Sequence, residues 1–193
     1  MEPVDQLHKF IFAIQPLKEK EWELFSAIWQ PFACKRKTIL TAAGETEKHL
    51  YFVLEGLQRA FYVGDDQKEA TLVFTYPPSF SGVADSFLTQ TPSSTFFETL
   101  TASSFLRTGY RQVEELIHNH PPIQQLVLRM TAFALKGVLE RQIEIQCFGA
   151  EEKFRALLKR SPHVLQMIPH KYLASYLGID PATFSKLLGS VRI

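Results

Sequence analysis

At 193 residues, with 46% hydrophobic side chains and 16 Phe, the chain is long enough to build one or two cored domains without disulfides or structural metal. Its two cysteines, Cys34 and Cys147, lie far apart without a C-x-x-C spacing. This argues against a zinc site or a disulfide framework and fits a reducing, cytoplasmic setting. The net charge is only +1, but residues 151–193 hold seven Lys or Arg against three acids, net +4, and the other 150 residues net −3. That asymmetry suits a cationic nucleic-acid module beside a neutral or acidic domain.

The opening segment MEPVDQLHKFIFAI carries Glu2 and Asp5 and only a short apolar run, too short for a signal segment. No run approaches membrane-spanning length, so no membrane partner is expected. From Leu7 to Ile28 apolar residues recur at helical spacing, and Pro16 is read as the start of a second helix through Trp22, Phe25 and Trp29.

From Lys37 the texture changes to short β-branched and aromatic segments separated by Gly, Asp, Pro and Ser. Leu50–Leu54 reaches a turn at Glu55-Gly56, Gln58–Val63 runs to Gly64-Asp65-Asp66, and Ala70–Thr75 ends at Pro77-Pro78. No helical pattern separates these strands, which predicts a sandwich or a jelly-roll β-barrel rather than a βαβ sheet, the barrel closing near Arg107.

After Gly109 the pattern is helical. Gln112–His118 predicts a short helix, Pro121-Pro122 restarts the chain, and Ile123–Phe148 predicts a helix of about seven turns. Ile123, Val127, Met130, Ala134, Gly137 and Val138 form a narrow stripe close to a heptad seam. The stripe either packs on the chain's own barrel or forms the seam of a homodimer. The second reading is favoured because a helix this long outruns a small barrel. Domain boundaries are expected near 110 and 150: residues 1–110 for helices and barrel, 111–150 for the helical segment, and 151–193 for a C-terminal module.

In that module Pro169 precedes a helix His170–Leu177, Gly178 ends it, Asp180 offers an N-cap oxygen and Pro181 stands at N1 of a second helix to about Leu188. Two helices joined by so short a turn read as a helix-turn-helix. Leu173, Leu177, Ile179, Phe184 and Leu187 supply its core, with small Ala174 at the crossing. With its basic surroundings, this motif predicts double-stranded DNA as the partner.

The chain resembles the Crp/Fnr family, the catabolite-activator-like regulators with a cyclic-nucleotide-binding barrel. YFVLEGLQRAFYV matches the barrel hairpin, FSGVADSFL the phosphate-binding cassette, and IPHKYLASYLGIDPATFSKLL the DNA reader. The last looks particularly like regulators of the Bacteroidetes group. The resemblance covers about Leu17 to Leu188 and implies an α+β chain. Its parts are an N-terminal jelly roll, a long dimerisation helix and a C-terminal winged helix-turn-helix, with RNA polymerase as a further partner. It carries effector binding onto Gly82, Val83, Ala84, Asp85, Ser93, Ser94 and Thr95, and DNA binding onto Lys171, Ala182, Thr183, Ser185 and Lys186.

Departures from the family pattern matter. Members that bind cyclic AMP carry Gly-Glu for the ribose and Arg-Ser for the cyclic phosphate. Here Val83 follows Gly82, and Pro92-Ser93-Ser94-Thr95-Phe96-Phe97 holds no Arg. Residues 132–148 also lack the Ser or Thr hydroxyl that meets the adenine. Cyclic AMP is therefore expected to bind poorly or not at all, leaving an unknown small-molecule effector and no cofactor. Pro181 and Ala182 stand where the activator has long base readers, which leaves Lys186 as the main major-groove donor. Only Gly189–Ile193 follow the second helix, so the wing is expected to be reduced or absent.

Three other readings compete with this one. A cupin-like metalloenzyme needs several barrel histidines, and only His49 lies in a strand pattern, while His118-Asn119-His120 ends a helix. No Gly-rich phosphate loop, activated Ser or catalytic carboxylate pair occurs, so no catalysis is expected. An iron-sulfur sensor needs a cysteine cluster, and Cys34 stands alone. A dimeric sensor module with weak or lost DNA binding is the nearest alternative.

Overall fold

The computed structural model describes residues 2–191. The chain divides into two compact units: residues up to Ala60 with Phe74–Phe133, and Phe61–Val73 with Ala134 onward.

The first unit opens with helices α1 (Pro3–Ile14) and α2 (Glu19–Ala27). Pro16 stands in the linker between them rather than in the first turn of α2. A proline disfavours helical backbone at the residue before it, and Gln15 is extended at φ −158°, ψ 115°. Strands follow as β1 (Gln30–Cys34), β2 (Ile39–Thr41), β3 (His49–Glu55), β4 (Gln58–Val63), β5 (Glu69–Thr75) and β6 (Ser79–Ser81). The short helix α3 (Ala84–Thr89) then precedes β7 (Phe96–Thr99) and β8 (Ser103–Gly109).

The expected barrel is not closed. The strands form two four-stranded sheets, ordered β1-β8-β3-β6 and β2-β7-β4-β5. The ladder stops where its pieces run out: β2 and β6 have three residues each, and α3 takes the chain out of extended conformation between β6 and β7. At the β3–β4 turn Gly56 has φ +93°, and a Cβ there would collide with Ser103 and the Ala102 carbonyl.

The alternation along β3 explains its unbroken apolar sequence. Tyr51 and Val53 pack with Phe97, Phe105 and Val83, a cluster drawing on both sheets. Phe52 points the other way and joins Leu106, Leu7, Ile11, Leu17, Phe25, Trp29 and Leu116 beneath the helices. A sheet covered on both faces is apolar on both.

Two further helices follow, α4 (Tyr110–Asn119) and α5 (Pro121–Cys147). Ile123 and Leu126 belong to the buried cluster beneath the helices, and Met130 packs against it. Ile123, expected on the intermolecular seam, is thus consumed by the chain's own core. Every residue from 131 to 140 is exposed. Leu128, Phe133, Leu135, Val138 and Leu139 are each more than half exposed.

The second unit contains α6 (Ala150–Arg160), α7 (Val164–Met167), α8 (His170–Leu177) and α9 (Pro181–Ser190). Its core is Phe154, Leu157, Leu158, Val164, Ile168, Leu173, Ala174, Leu177 and Phe184. Among the described residues, no helix is long and apolar enough to cross a membrane.

Candidate functional site

In the first unit, the segment 44–49 that leads into β3 gathers both pieces of the sequence-predicted effector site. Gly44 N donates to Ser93 O at 2.8 Å and Ser93 N donates to Glu45 O at 2.9 Å. Three residues on, Val83 N donates to Glu47 Oε2 at 3.3 Å, and Glu47 N donates to the Ser86 hydroxyl at 3.0 Å. Gly82 has φ +123°, and a Cβ there would lie 3.3 Å from His49 O and 3.5 Å from Glu47 Oε2. Glycine is therefore required for β6 to approach β3 so closely while turning into α3.

The predicted hydroxyls are not aimed outward together. Ser93 is buried, its hydroxyl donates to Thr95 O at 2.7 Å, and it accepts Thr95 N–H at 2.9 Å. The pair closes its own turn. Ser94, Ala84 and Asp85 are exposed, and Val83 is buried. A recess of about 420 Å³ is walled instead by Leu40, Thr41, Glu45, Thr46, Glu47, Lys48 and His49.

Glu47 is the residue that sequence reasoning missed. It is 1% exposed. Its carboxylate accepts Thr41 Oγ1–H at 2.6 Å and His49 N–H at 3.1 Å besides Val83 N–H. Burial pushes its carboxyl above the ordinary glutamate value, against the hydrogen bonds from Thr41, His49 and Val83 that favour the ionised form. Burial also raises the Tyr51 phenol, and the Glu47 charge adds to the rise. The His49 imidazole is held below its usual value by burial, then by the charges of Arg107 and Lys48.

In the second unit, α8 ends in left-handed Gly178 at φ +63°, and Gly178 N donates to Ser175 O at 3.1 Å. Asp180 then caps α9 by accepting Ala182 N–H and Thr183 N–H, each at 2.9 Å. The Thr183 hydroxyl also donates to Asp180, and these Thr183 bonds hold the Asp180 carboxyl below its ordinary value. Ser185 Oγ donates to Pro181 O at 3.0 Å. The hydroxyls of both predicted contact residues are thus engaged within α9.

Lys186 and Ala182 are exposed. Lys186 makes no side-chain hydrogen bond or ion pair among the described residues, and Lys171 rests its ammonium 4.7 Å from the Tyr172 ring centroid. Ala182 and Lys186, one turn apart, therefore share an exposed side of α9, while Phe184 is buried against Phe154, ring centroids 5.4 Å apart.

Ser175 ties α8 to the free edge of β5: its hydroxyl accepts Thr71 N–H at 2.9 Å and donates to Glu69 O at 3.1 Å. Arg141 of α5 bonds Glu144 at 2.7 Å and donates to Tyr176 O, with its guanidinium 4.2 Å above the Tyr176 ring. Arg160 at the end of α6 forks onto the same Glu144 carboxylate at 2.6 and 3.3 Å. Among the described residues, no group of three or more His, Cys, Asp or Glu is arranged to hold a metal ion.

No curated protein sequence matches the chain. Among solved structures it is similar to FixK2 from Bradyrhizobium japonicum, at TM-score 0.75 and 15% identity over 84% of this chain and 83% of that one. The Thermus thermophilus catabolite activator protein superposes at TM-score 0.58 with 21% identity, over 93% and 89%. The c-di-GMP responsive global regulator CLP of Xanthomonas campestris does so at 0.65 with 16% identity, over 88% and 89%. At these identities the likeness shows the fold alone. Residues 32–120 match the family model of the cyclic nucleotide-binding domain, and the chain carrying that segment has the fold of these solved structures.

Proposed function

We propose that this protein is a DNA-binding transcription regulator of the Crp/Fnr type, not an enzyme. In this reading it works as a homodimer in the cytoplasm and responds to a small effector at the 44–49 segment and cassette. The observation that carries it is the α8–α9 pair. A left-handed Gly178 and an Asp180 cap set a second helix whose buried Phe184 anchors it and whose exposed face presents Ala182 and Lys186. Such a face fits the major groove, where a lysine pairs with guanine acceptors and a methyl side chain meets thymine. The regulators whose fold it shares include an activator and a global regulator.

The test is selection of bound DNA from a random pool, followed by gel shift. Lys186→Ala is expected to weaken binding to the selected site roughly tenfold and to lower the salt slope by about one. An unchanged footprint and slope would remove Lys186 from the interface.

The homodimer is supported by the exposed stretch 131–140 of α5. Phe133, Leu135, Val138 and Leu139 leave in water an apolar surface that a helix of this composition ordinarily buries. A second copy, placing the same helix beside it about a twofold axis, is the occupant that closes such a face. Small Ala134 and Gly137, both exposed, let two helix axes approach. Leu139→Glu is expected to weaken self-association at least about 30-fold, read by sedimentation velocity across a dilution series. Unaltered sedimentation would move the interface elsewhere.

Cyclic AMP is not the effector in this reading. The cassette lacks an arginine for the phosphate, and the Ser93 hydroxyl serves its own turn with Thr95.

A further inference from the structure

Resting on the effector-site reading above, we infer that Glu47 is a specificity-determining residue whose own carboxylate fills the place of an anionic ligand group in the cassette. The site is thereby closed to phosphate-bearing effectors and left to neutral or cationic ones.

The argument starts from cost. A glutamate that is 1% exposed loses its hydration, and ion pairing with a cation is the usual compensation. No lysine, arginine or histidine side chain pairs with this one among the described residues. Its partners are one hydroxyl, on Thr41, and the backbone N–H groups of His49, Val83 and Lys48. These hydrogen bonds have the charge-assisted form that a bound phosphate oxygen would make with the same groups.

The carboxylate is fixed in position. The Ser86 hydroxyl that accepts Glu47 N–H donates in turn to Thr91 O at 2.6 Å, stitching the backbone of residue 47 to both ends of α3. Gly82 leaves Glu47 Oε2 just clear of the cassette backbone, with 3.5 Å to the place a Cβ would take. The side chain also forms part of the wall of the 420 Å³ recess. An entering anion finds the Val83 donor taken and meets a fixed negative charge. Two like charges a few ångströms apart in such a half-buried place cost at least about tenfold in affinity.

Calorimetry on the full chain tests this, with cyclic AMP as the anionic probe and adenosine as its uncharged counterpart. Glu47→Ala removes the charge and frees the donors, and is expected to bind cyclic AMP at least about tenfold more tightly than the unaltered chain, with a smaller change in adenosine affinity. Glu47→Gln keeps the size of the side chain, so it carries the test should the alanine variant fold poorly by circular dichroism. Its gain is expected in the same direction and smaller.

Cyclic AMP affinity that is equal in all three proteins, absence of binding included, overturns the inference. An equal gain for adenosine does so too, because that reports a widened recess rather than a removed charge. Gel shifts on the same samples separate this inference from the regulator reading. DNA binding with no gain in nucleotide affinity sinks the role of Glu47 alone, and a gain without DNA binding sinks the regulator alone.

Discussion

Phe184→Ala is expected to unfold the α8–α9 pair while leaving the first unit intact. Phe184 is 1% exposed and meets Phe154 edge-on, at 5.4 Å and 82°, with the His170 ring at 5.4 Å on another side. Removing a buried phenyl ring costs about 3–5 kcal/mol, because the lost transfer energy is compounded by a cavity the neighbours fill only in part. The core of the second unit is small, so a loss of that size is comparable with the whole stability of such a unit. Hydrogen exchange by mass spectrometry should show residues 170–190 losing protection, with β3 and β8 unchanged, and DNA binding should disappear. Lys186→Ala should lose DNA affinity with exchange unaltered, which separates a contact residue from an anchor. Retained protection across α9 in the Phe184 variant would mean that its helix is held by something other than this ring.

The parts of this molecule that were legible in the sequence are those whose determinants are local. His170–Leu177, the left-handed Gly178, the Asp180 cap and Pro181 lie within a dozen residues, and each acts on its neighbours by hydrogen bonding or backbone restriction. Strand β1 was not legible. Gln30-Pro31-Phe32-Ala33-Cys34 has no β-branched residue, and its extended form comes from pairing with β8 more than 60 residues away, Phe32 opposite Phe105.

Helix α5 was half legible. Its length followed from composition, but one helix carries two apolar faces in succession. Ile123, Leu126 and Met130 turn into the core, while Leu135, Val138 and Leu139 remain outside. A single heptad count cannot separate the two. Glu47 was invisible because a glutamate is by default a solvated charge, and what makes this one different comes from Thr41, Val83 and Ser86, which only the fold brings together.

The second large effect is expected at Glu144, where one carboxylate joins three helices of the second unit. Burial pushes the Glu144 carboxyl upward, but the hydrogen bonds from Arg160 and then Arg141 outweigh it and hold the group below its ordinary value. Glu144→Gln keeps the shape and removes the charge, leaving two guanidiniums facing each other with only an amide between them. Breaking a buried ion pair costs about 3–5 kcal/mol, and the lower end applies here because water reaches Arg160. In a unit of this size about 3 kcal/mol lowers the melting temperature by roughly 12 °C or more.

The pH dependence has a definite sign. A carboxyl with a depressed folded value contributes stability that is complete above its ordinary value of 4.5 and is lost as pH falls below that through the folded value. The unaltered chain should therefore lose stability of its second unit over that acid range, and the glutamine variant should lack that component. Because Arg141 also holds the Tyr176 carbonyl and ring of α8, the loosened cluster should free α8 and α9 from the end of α5. Specific DNA affinity should then fall even though no residue of the proposed DNA face has changed. A Glu144→Gln protein that melts like its parent, with the same acid profile and the same DNA affinity, would show that this cluster does not set the position of α8.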